Sequence, residues 1–208
     1  MLEALTGTGL AASAGLNAYI PLVTMGVLAR YTDVIVLPTG WDWLSNGWTL
    51  TILAVLLAVE VVADKVPVVD HVNDVVQTVV RPTAGGLAFG AGSSSETVTV
   101  SDPGAFFGSH QWVPIAAGVV IALFVHGVKS ASRPVVNVTT AGMGAPVAST
   151  AEDVSSVVLS VVAILLPVFV LVGLALLIWA AVWVVRRRRR RRREDRSLSG
   201  SGTGHSFG

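Results

Sequence analysis

Cysteine is absent from the 208 residues, charged residues make up only 13 % of them and aromatic residues 7 %. Without cysteine there is no disulfide scaffold, no thiolate catalysis and no zinc–thiolate site. Scarce charge, with 52 % hydrophobic residues and a mean hydropathy of +0.70, excludes a disordered chain and argues against a soluble enzyme. Catalytic motifs are missing too. There is no Gly-x-Ser-x-Gly, no His-Glu-x-x-His, and no phosphate loop, since Gly90-Ala91-Gly92-Ser93 lacks the lysine. No enzyme and no cofactor is therefore expected. A cleavable signal peptide is not expected either, because the start carries Glu3 and no basic n-region.

What is present is long apolar runs. Crossing a bilayer takes about 20 mostly apolar residues. The clearest run, Val154 to Val185, is uncharged, contains Pro167 and has Trp179 and Trp183 near its end. It should tilt, bend or protrude. Eight arginines, Arg186 to Arg193, follow directly, and a Gly/Ser-rich stretch ends the chain. Positive flanks stay cytoplasmic. Without these eight, six basic residues face thirteen acidic ones, a net of −7 behind an overall +1. Directly after an apolar run, the arginines are better suited to anionic lipid headgroups than to nucleic acid, at about 1 kcal/mol per residue.

Three further runs are strong: Thr6 to Ala29, Trp48 to Ala63 and Trp112 to Val128. Two are weaker and rich in small residues, 75–92 and 134–148. Lys65, Arg81, Lys129 and Arg133 fall between runs, while Asp33, Asp42, Glu96, Asp102, Glu152 and Asp153 fall in the alternate connections. The expectation is an all-α polytopic membrane bundle of about six spans over 1–185 with a disordered basic tail over 186–208. It should be multi-pass with both termini cytoplasmic. The alternative is four spans plus two re-entrant segments. Ser13-Ala14-Gly15, Thr83-Ala84-Gly85 and Thr140-Ala141-Gly142 echo one another, and two of them follow Arg-Pro. This suggests a hairpin used twice, as in transporter repeats, against the null that small residues abound in packed membrane helices.

The densest polar cluster is Glu60 to Arg81. Glu60 and Asp64 share a helical face. Asp70, Asp74, Gln77 and Arg81 recur at helical spacing as one stripe opposite Val72, Val76 and Val79, with His71 beside Asp74. Three readings compete: a surface amphipathic helix with its charges in water and headgroups, a structural ion-pair network, and a cation or proton site of Glu60, Asp64, Asp70, His71 and Asp74. Oxygen ligands with one imidazole suit Mn, Mg or Ca. Glu60, inside an apolar run, favours function. His126 is a packing residue or a proton relay. Pro21 should kink its span at Asn17. The Asn17 amide and Tyr19 hydroxyl then bind a solute or, more simply, satisfy freed backbone or bridge helices. Asn137 lies in the weak run before Ala148. Glu152 and Asp153 are assigned first to capping the last helix and second to an outer vestibule.

Several strings carry a family resemblance. They are Ala14-Gly15-Leu16-Asn17-Ala18-Tyr19-Ile20-Pro21-Leu22, Val62-Ala63-Asp64-Lys65-Val66-Pro67, Val69-Asp70-His71-Val72, Val80-Arg81-Pro82-Thr83-Ala84-Gly85, Ser132-Arg133-Pro134-Val135-Val136-Asn137 and Glu152-Asp153-Val154. Together, over most of residues 5–180, they resemble the bacterial integral-membrane family catalogued as domain of unknown function 4126. The resemblance implies a multi-span bacterial membrane protein, expected in the inner membrane, and no activity. Glu60-x-x-x-Asp64-Lys65 is also similar, with the spacing off by one and the glycine missing, to a motif of cation exchangers built from three-helix repeats. The functional expectation is a small-solute or cation transporter or channel centred on Asn17, Tyr19, Glu60, Asp64, Lys65, Asp70, His71, Asp74, Arg81, Arg133 and Asn137. The alternative is a scaffold or lipid-interacting protein, with Arg186, Arg187, Arg188, Arg189, Arg190, Arg191, Arg192 and Arg193 holding anionic lipid. The sequence leaves homo-oligomerisation open.

Overall fold

A computed structural model describes residues 1–65, 67–93, 112–140 and 144–173, with 175, 176, 178, 179, 182, 183 and 186; the side chains of 67–72, 74, 134–140 and 145 lie outside the description. The described residues are helical with no strand. In chain order they form α1 (Leu2–Leu16), α2 (Ile20–Tyr31), α3 (Gly47–Ala63), α4 (Pro67–Gly92), α5 (Trp112–Thr140) and α6 (Ala145–Leu165), with 3-10 turns at Asp42–Ser45 and Pro167–Phe169. Contacts divide the chain into Met1–Leu174, which holds these elements, and Ala175–Gly208.

The first apolar run is two helices, not one kinked span. At Asn17 the backbone turns extended (φ −144°, ψ 123°). The Asn17 carboxamide oxygen accepts from the Tyr19 and Ile20 amides at 3.1 and 3.2 Å, capping α2. Pro21 falls in the first turn of α2, where its missing N–H costs nothing. The two helices form a hairpin. The start of α1 packs where α4 ends, Gly7 on Phe89 and Leu10 on Gly92. The end of α2 returns to the same place: Gly26 abuts Leu44, Arg30 donates to the Ser45 carbonyl, and Trp41 covers Gly90. The arms are about 22 and 18 Å long at 1.5 Å per residue, short of the roughly 30 Å hydrocarbon core.

Small residues let α1 sit at the centre. Gly7, Gly9 and the run Leu10 to Leu16 are buried. A Cβ on Gly15 would stand 2.6 Å from that of Val125, and one on Gly85 would collide with Ala122 and the Gly118 carbonyl. Thus α1 and α4 both press glycine onto one face of α5. Serines join α1 to α6: the Ser13 hydroxyl lies 2.7 Å from those of Ser156 and Ser160.

Other expectations change as well. α3 matches the run Trp48 to Ala63. The segment 75–92 is the larger part of α4, which continues through Pro82. α5 runs unbroken past Lys129 and Arg133-Pro134, so no second hairpin forms there. The segment 134–148 is no span of its own; it is divided between α5 and α6, with 141–143 outside the described residues. The last run does not form one helix from Val154. α6 begins nine residues earlier, at Ala145, and breaks at Leu166 (φ −140°, ψ 64°), where Pro167 cannot continue it. Trp112–Arg133 and Pro146–Leu165 are long and apolar enough to cross a membrane, and Ile20–Tyr31 and Gly47–Ala63 are shorter apolar helices.

Candidate functional site

Polar stripes turn inward and apolar stripes outward. On α4, Val75 and Val79 are 68 and 70 % exposed while Arg81 is 0 % and Gln77 3 % exposed. The reading of this stripe as a surface amphipathic helix is therefore reversed at Gln77 and Arg81. α3 repeats the inversion, with Glu60 buried and Ile52, Val55, Val59 and Val62 exposed. On α5, His126, Lys129 and Arg133 are buried while Val120, Leu123 and Phe124 are exposed; on α6, Ser149, Ser156 and Ser160 are buried while Val154, Val157 and Val158 are exposed. Such burial of polar groups under apolar surface is the informative departure from a water-soluble fold.

The inward charges meet below the α1–α2 turn. Arg81 Nη2 lies 2.9 Å from Glu60 Oε1 and 3.6 Å from Asp64 Oδ2. Asp64, just past α3, holds Lys129 at 3.1 Å and Arg133 at 3.2 Å on Oδ2, while Oδ1 accepts from the Asn73 amide at 2.6 Å. Glu152 Oε2 lies 3.0 Å from Lys129 and 3.2 Å from Arg133. Lys129 also donates to the Leu16 carbonyl at 2.9 Å, closing the end of α1. Asp153 accepts from the Asn17 carboxamide at 3.0 Å and pairs with the half-exposed Lys65 at 3.5 Å. Asn17 thus caps α2 and bridges to α6 together. Four carboxylates face four cations.

His126 Nδ1 lies 3.1 Å from Arg81 Nη1. A guanidinium only donates, so Nδ1 accepts and the ring is neutral, its proton on Nε2 facing Thr78 Oγ1 at 3.2 Å. The Arg81 guanidinium is therefore held between Glu60 and His126. Three atoms of this centre have no hydrogen-bond partner among the described residues: Glu60 Oε2, Arg81 Nε and, one turn before Arg81, Gln77 Oε1. Buried polar atoms are almost always paired. Two acceptors and a donor left over suit a water or a polar solute group, and Glu60 Oε2 suits a proton.

Among the expected site residues, Glu60, Asp64, Arg81 and Arg133 join one network, and Asn17 and Lys65 meet at Asp153, next in the chain to its member Glu152. Tyr19, half-buried at the hairpin turn, packs against the apolar core. The side chains of Asp70, His71, Asp74 and Asn137 lie outside the described residues, as do Arg187 to Arg193; Arg186 is exposed. Among the described residues no three His, Asp or Glu side chains are grouped to hold a metal; the Glu60 and Asp64 carboxylates face Arg81, Lys129 and Arg133 instead.

Lys129, Glu152 and Asp153 are network members that sequence reasoning placed elsewhere. The latter two do not cap a helix, for α6 starts seven residues before Glu152. Nor do the charges sort to opposite membrane faces: Glu152 and Asp153 pair with Lys129 and Lys65, so orientation cannot be read from these residues. The signal for them was the stripe test. His126, Lys129 and Arg133 fall at i, i+3 and i+7, and Ser149, Glu152 or Asp153, Ser156 and Ser160 at i, i+3 or i+4, i+7 and i+11.

No curated protein and no solved structure matches the chain. The sequence pattern described as "Domain of unknown function (DUF4126)" matches residues 4–187, nearly the whole chain and every residue of the network, and the protein belongs to that family.

Proposed function

We propose that the protein is a multi-pass bacterial inner-membrane protein that moves a small solute or ion, with the Glu60–Arg81 pair as its working centre. The membrane part rests on the inside-out pattern of α3, α4, α5 and α6, whose apolar faces need lipid for a solvent. The arginine block puts the C-terminal tail in the cytoplasm by the positive-inside rule. The transport part rests on one observation: a fully buried carboxylate and guanidinium, each with an atom unpartnered among the described residues, lie beneath a short helical hairpin. Ionisable groups inside a membrane bundle mark ion and solute pathways, and hairpins of this length are tolerated where they are enclosed by protein or line a wet path. Glu60 exchanges a proton or binds the cation, while Arg81, Lys129 and Arg133 balance the carboxylates or hold an anionic group.

The test is flux through purified protein in liposomes across a panel of small cations and anions. Glu60→Gln keeps the shape and removes the charge, and flux is expected to vanish. Unchanged flux would exclude the role and leave the scaffold reading, which the near-complete pairing of Asp64, Lys129 and Glu152 favours.

A further inference from the structure

A second feature lies at the other end of the α1–α2 hairpin, away from the charge network. α2 and α3 diverge there around a cleft of about 750 Å³, within the roughly 300–1,000 Å³ range of ligand pockets. Its walls are Val23 and Val27 of α2 and Leu50 and Ala54 of α3; Arg30, Tyr31, Gly47 and Trp48 stand at its mouth. We infer that this cleft binds one anionic phospholipid, its phosphate on Arg30 and an acyl chain along Val23, Val27, Leu50 and Ala54.

The charge is placed for it. Arg30 is exposed and makes no ion pair with a described residue, Asp33 and Asp42 of the nearby connection included. One guanidinium nitrogen, Nη1, donates to the Ser45 carbonyl at 2.8 Å, and the group lies 5.6 Å from the Tyr31 ring centre. These contacts fix its plane and leave other N–H groups for phosphate oxygens, which a guanidinium grips in pairs. Gly47 faces the guanidinium across the mouth, where a Cβ would stand 3.6 Å from Arg30 Nη2, in ordinary contact. The level is right too. Tyr31, Trp43 and Trp48 are exposed together here, as in an interfacial aromatic belt. From Arg30 the apolar wall runs seven residues down α2 to Val23, about 10 Å toward the bilayer centre. A free anion has no use for that wall, and an alkyl chain alone has none for the arginine.

The inference rests on the membrane reading and is independent of transport. Native mass spectrometry of the full-length protein, with phosphatidylglycerol or phosphatidylcholine added, tests it. The protein is expected to retain one phosphatidylglycerol. Arg30→Gln should lower that retention about tenfold and leave phosphatidylcholine unchanged; Ala54→Phe, which fills the cleft, should lower both. The arginine tail is present throughout, so its own lipid binding cancels in the comparison. Equal phosphatidylglycerol retention by all three proteins overturns the site, as does displacement of the lipid by millimolar inorganic phosphate. Release of the chain from vesicles by alkaline carbonate would overturn the membrane reading instead.

Discussion

Arg81→Met isolates the energetics of the buried centre. The side chains of Arg81 and Glu60 are both 0 % exposed. Asp64 would lose only its longest cation contact, 3.6 Å, and keep Lys129 and Arg133 at 3.1 and 3.2 Å. The damage therefore falls mainly on Glu60, whose one ion pair among the described residues is with Arg81, and less on His126 Nδ1, which loses its donor. Breaking a buried pair from one side costs about 3–5 kcal/mol. Protonation sets a ceiling: neutralising a carboxyl of ordinary pKa about 4.3 at pH 7 takes roughly 3.7 kcal/mol. The expected loss is thus about 3–4 kcal/mol, a few hundred-fold in the unfolding equilibrium. Glu60→Leu/Arg81→Met removes both charges. It should recover most of that stability, since apolar replacement of a buried pair is often neutral or better. The assay is unfolding of the detergent-solubilised protein in a mixed-micelle titration, with flux measured on the same variants. Stability recovered without flux is the expected pattern. A single-variant loss under about 1 kcal/mol, or a double variant as unstable as the summed singles, would refute the reasoning.

Other perturbations reach other parts of the molecule. Asn17→Ala removes the α2 cap and the bridge to Asp153 and should cost about 1–2 kcal/mol; Asn17→Asp keeps the cap but sets a second carboxylate against Asp153, and should be the worse variant in the same titration. Gly85→Ala drives a methyl into Ala122 and the Gly118 carbonyl and should cost about 1–3 kcal/mol. Its control is Gly127→Ala, with nothing within 4 Å, which should be neutral or stabilising by under about 1 kcal/mol; equal effects would contradict the helix packing. Deleting Arg186 to Arg193 should weaken binding to anionic liposomes by about 1 kcal/mol per residue removed, read by co-sedimentation, with no change on neutral vesicles.

The helical class and the polar centre were legible because both follow from periodicity. Glu60 and Asp64 share a face by spacing alone, and Gln77 and Arg81, the part of the α4 stripe whose side chains are described, are both buried. The direction of the stripe was not legible: Val75 and Val79 are exposed while Gln77 and Arg81 are buried, and spacing does not say which side is solvent. Topology failed where one side chain outweighed a run's hydropathy. Thr6 to Ala29 is apolar enough for a span, yet the Asn17 carboxamide offers the Tyr19 and Ile20 amides an oxygen, and Pro21 is pre-shaped to start a helix. The reverse happened at Arg133-Pro134. A charge followed by proline looks like a loop, but Arg133 finds Asp64 and Glu152 within 3.2 Å, so α5 continues. Partner charges on distant helices decide such cases, and a single chain read in order does not show them.

The hairpin and the ion pairs hold each other in place. A helix that stops at Leu16 leaves its last carbonyls without amide partners, which is costly in an apolar layer. Lys129 reaches one of them at 2.9 Å while pairing with Asp64 and Glu152. A cation is also the favoured neighbour for the negative end of a helix. Removing Lys129 would thus strip the end of α1 and two carboxylates of one shared cation. Asp64 would keep Arg81, Arg133 and Asn73, and Glu152 would keep Arg133, but the Leu16 carbonyl has no such reserve among these contacts. Lys129→Met should therefore loosen the tip of the hairpin more than the carboxylate end of α3. Hydrogen exchange reads this directly. Amides of residues 17–22 should lose protection while those of 56–62 keep theirs, and equal loss in both would mean that the lysine serves the carboxylates first.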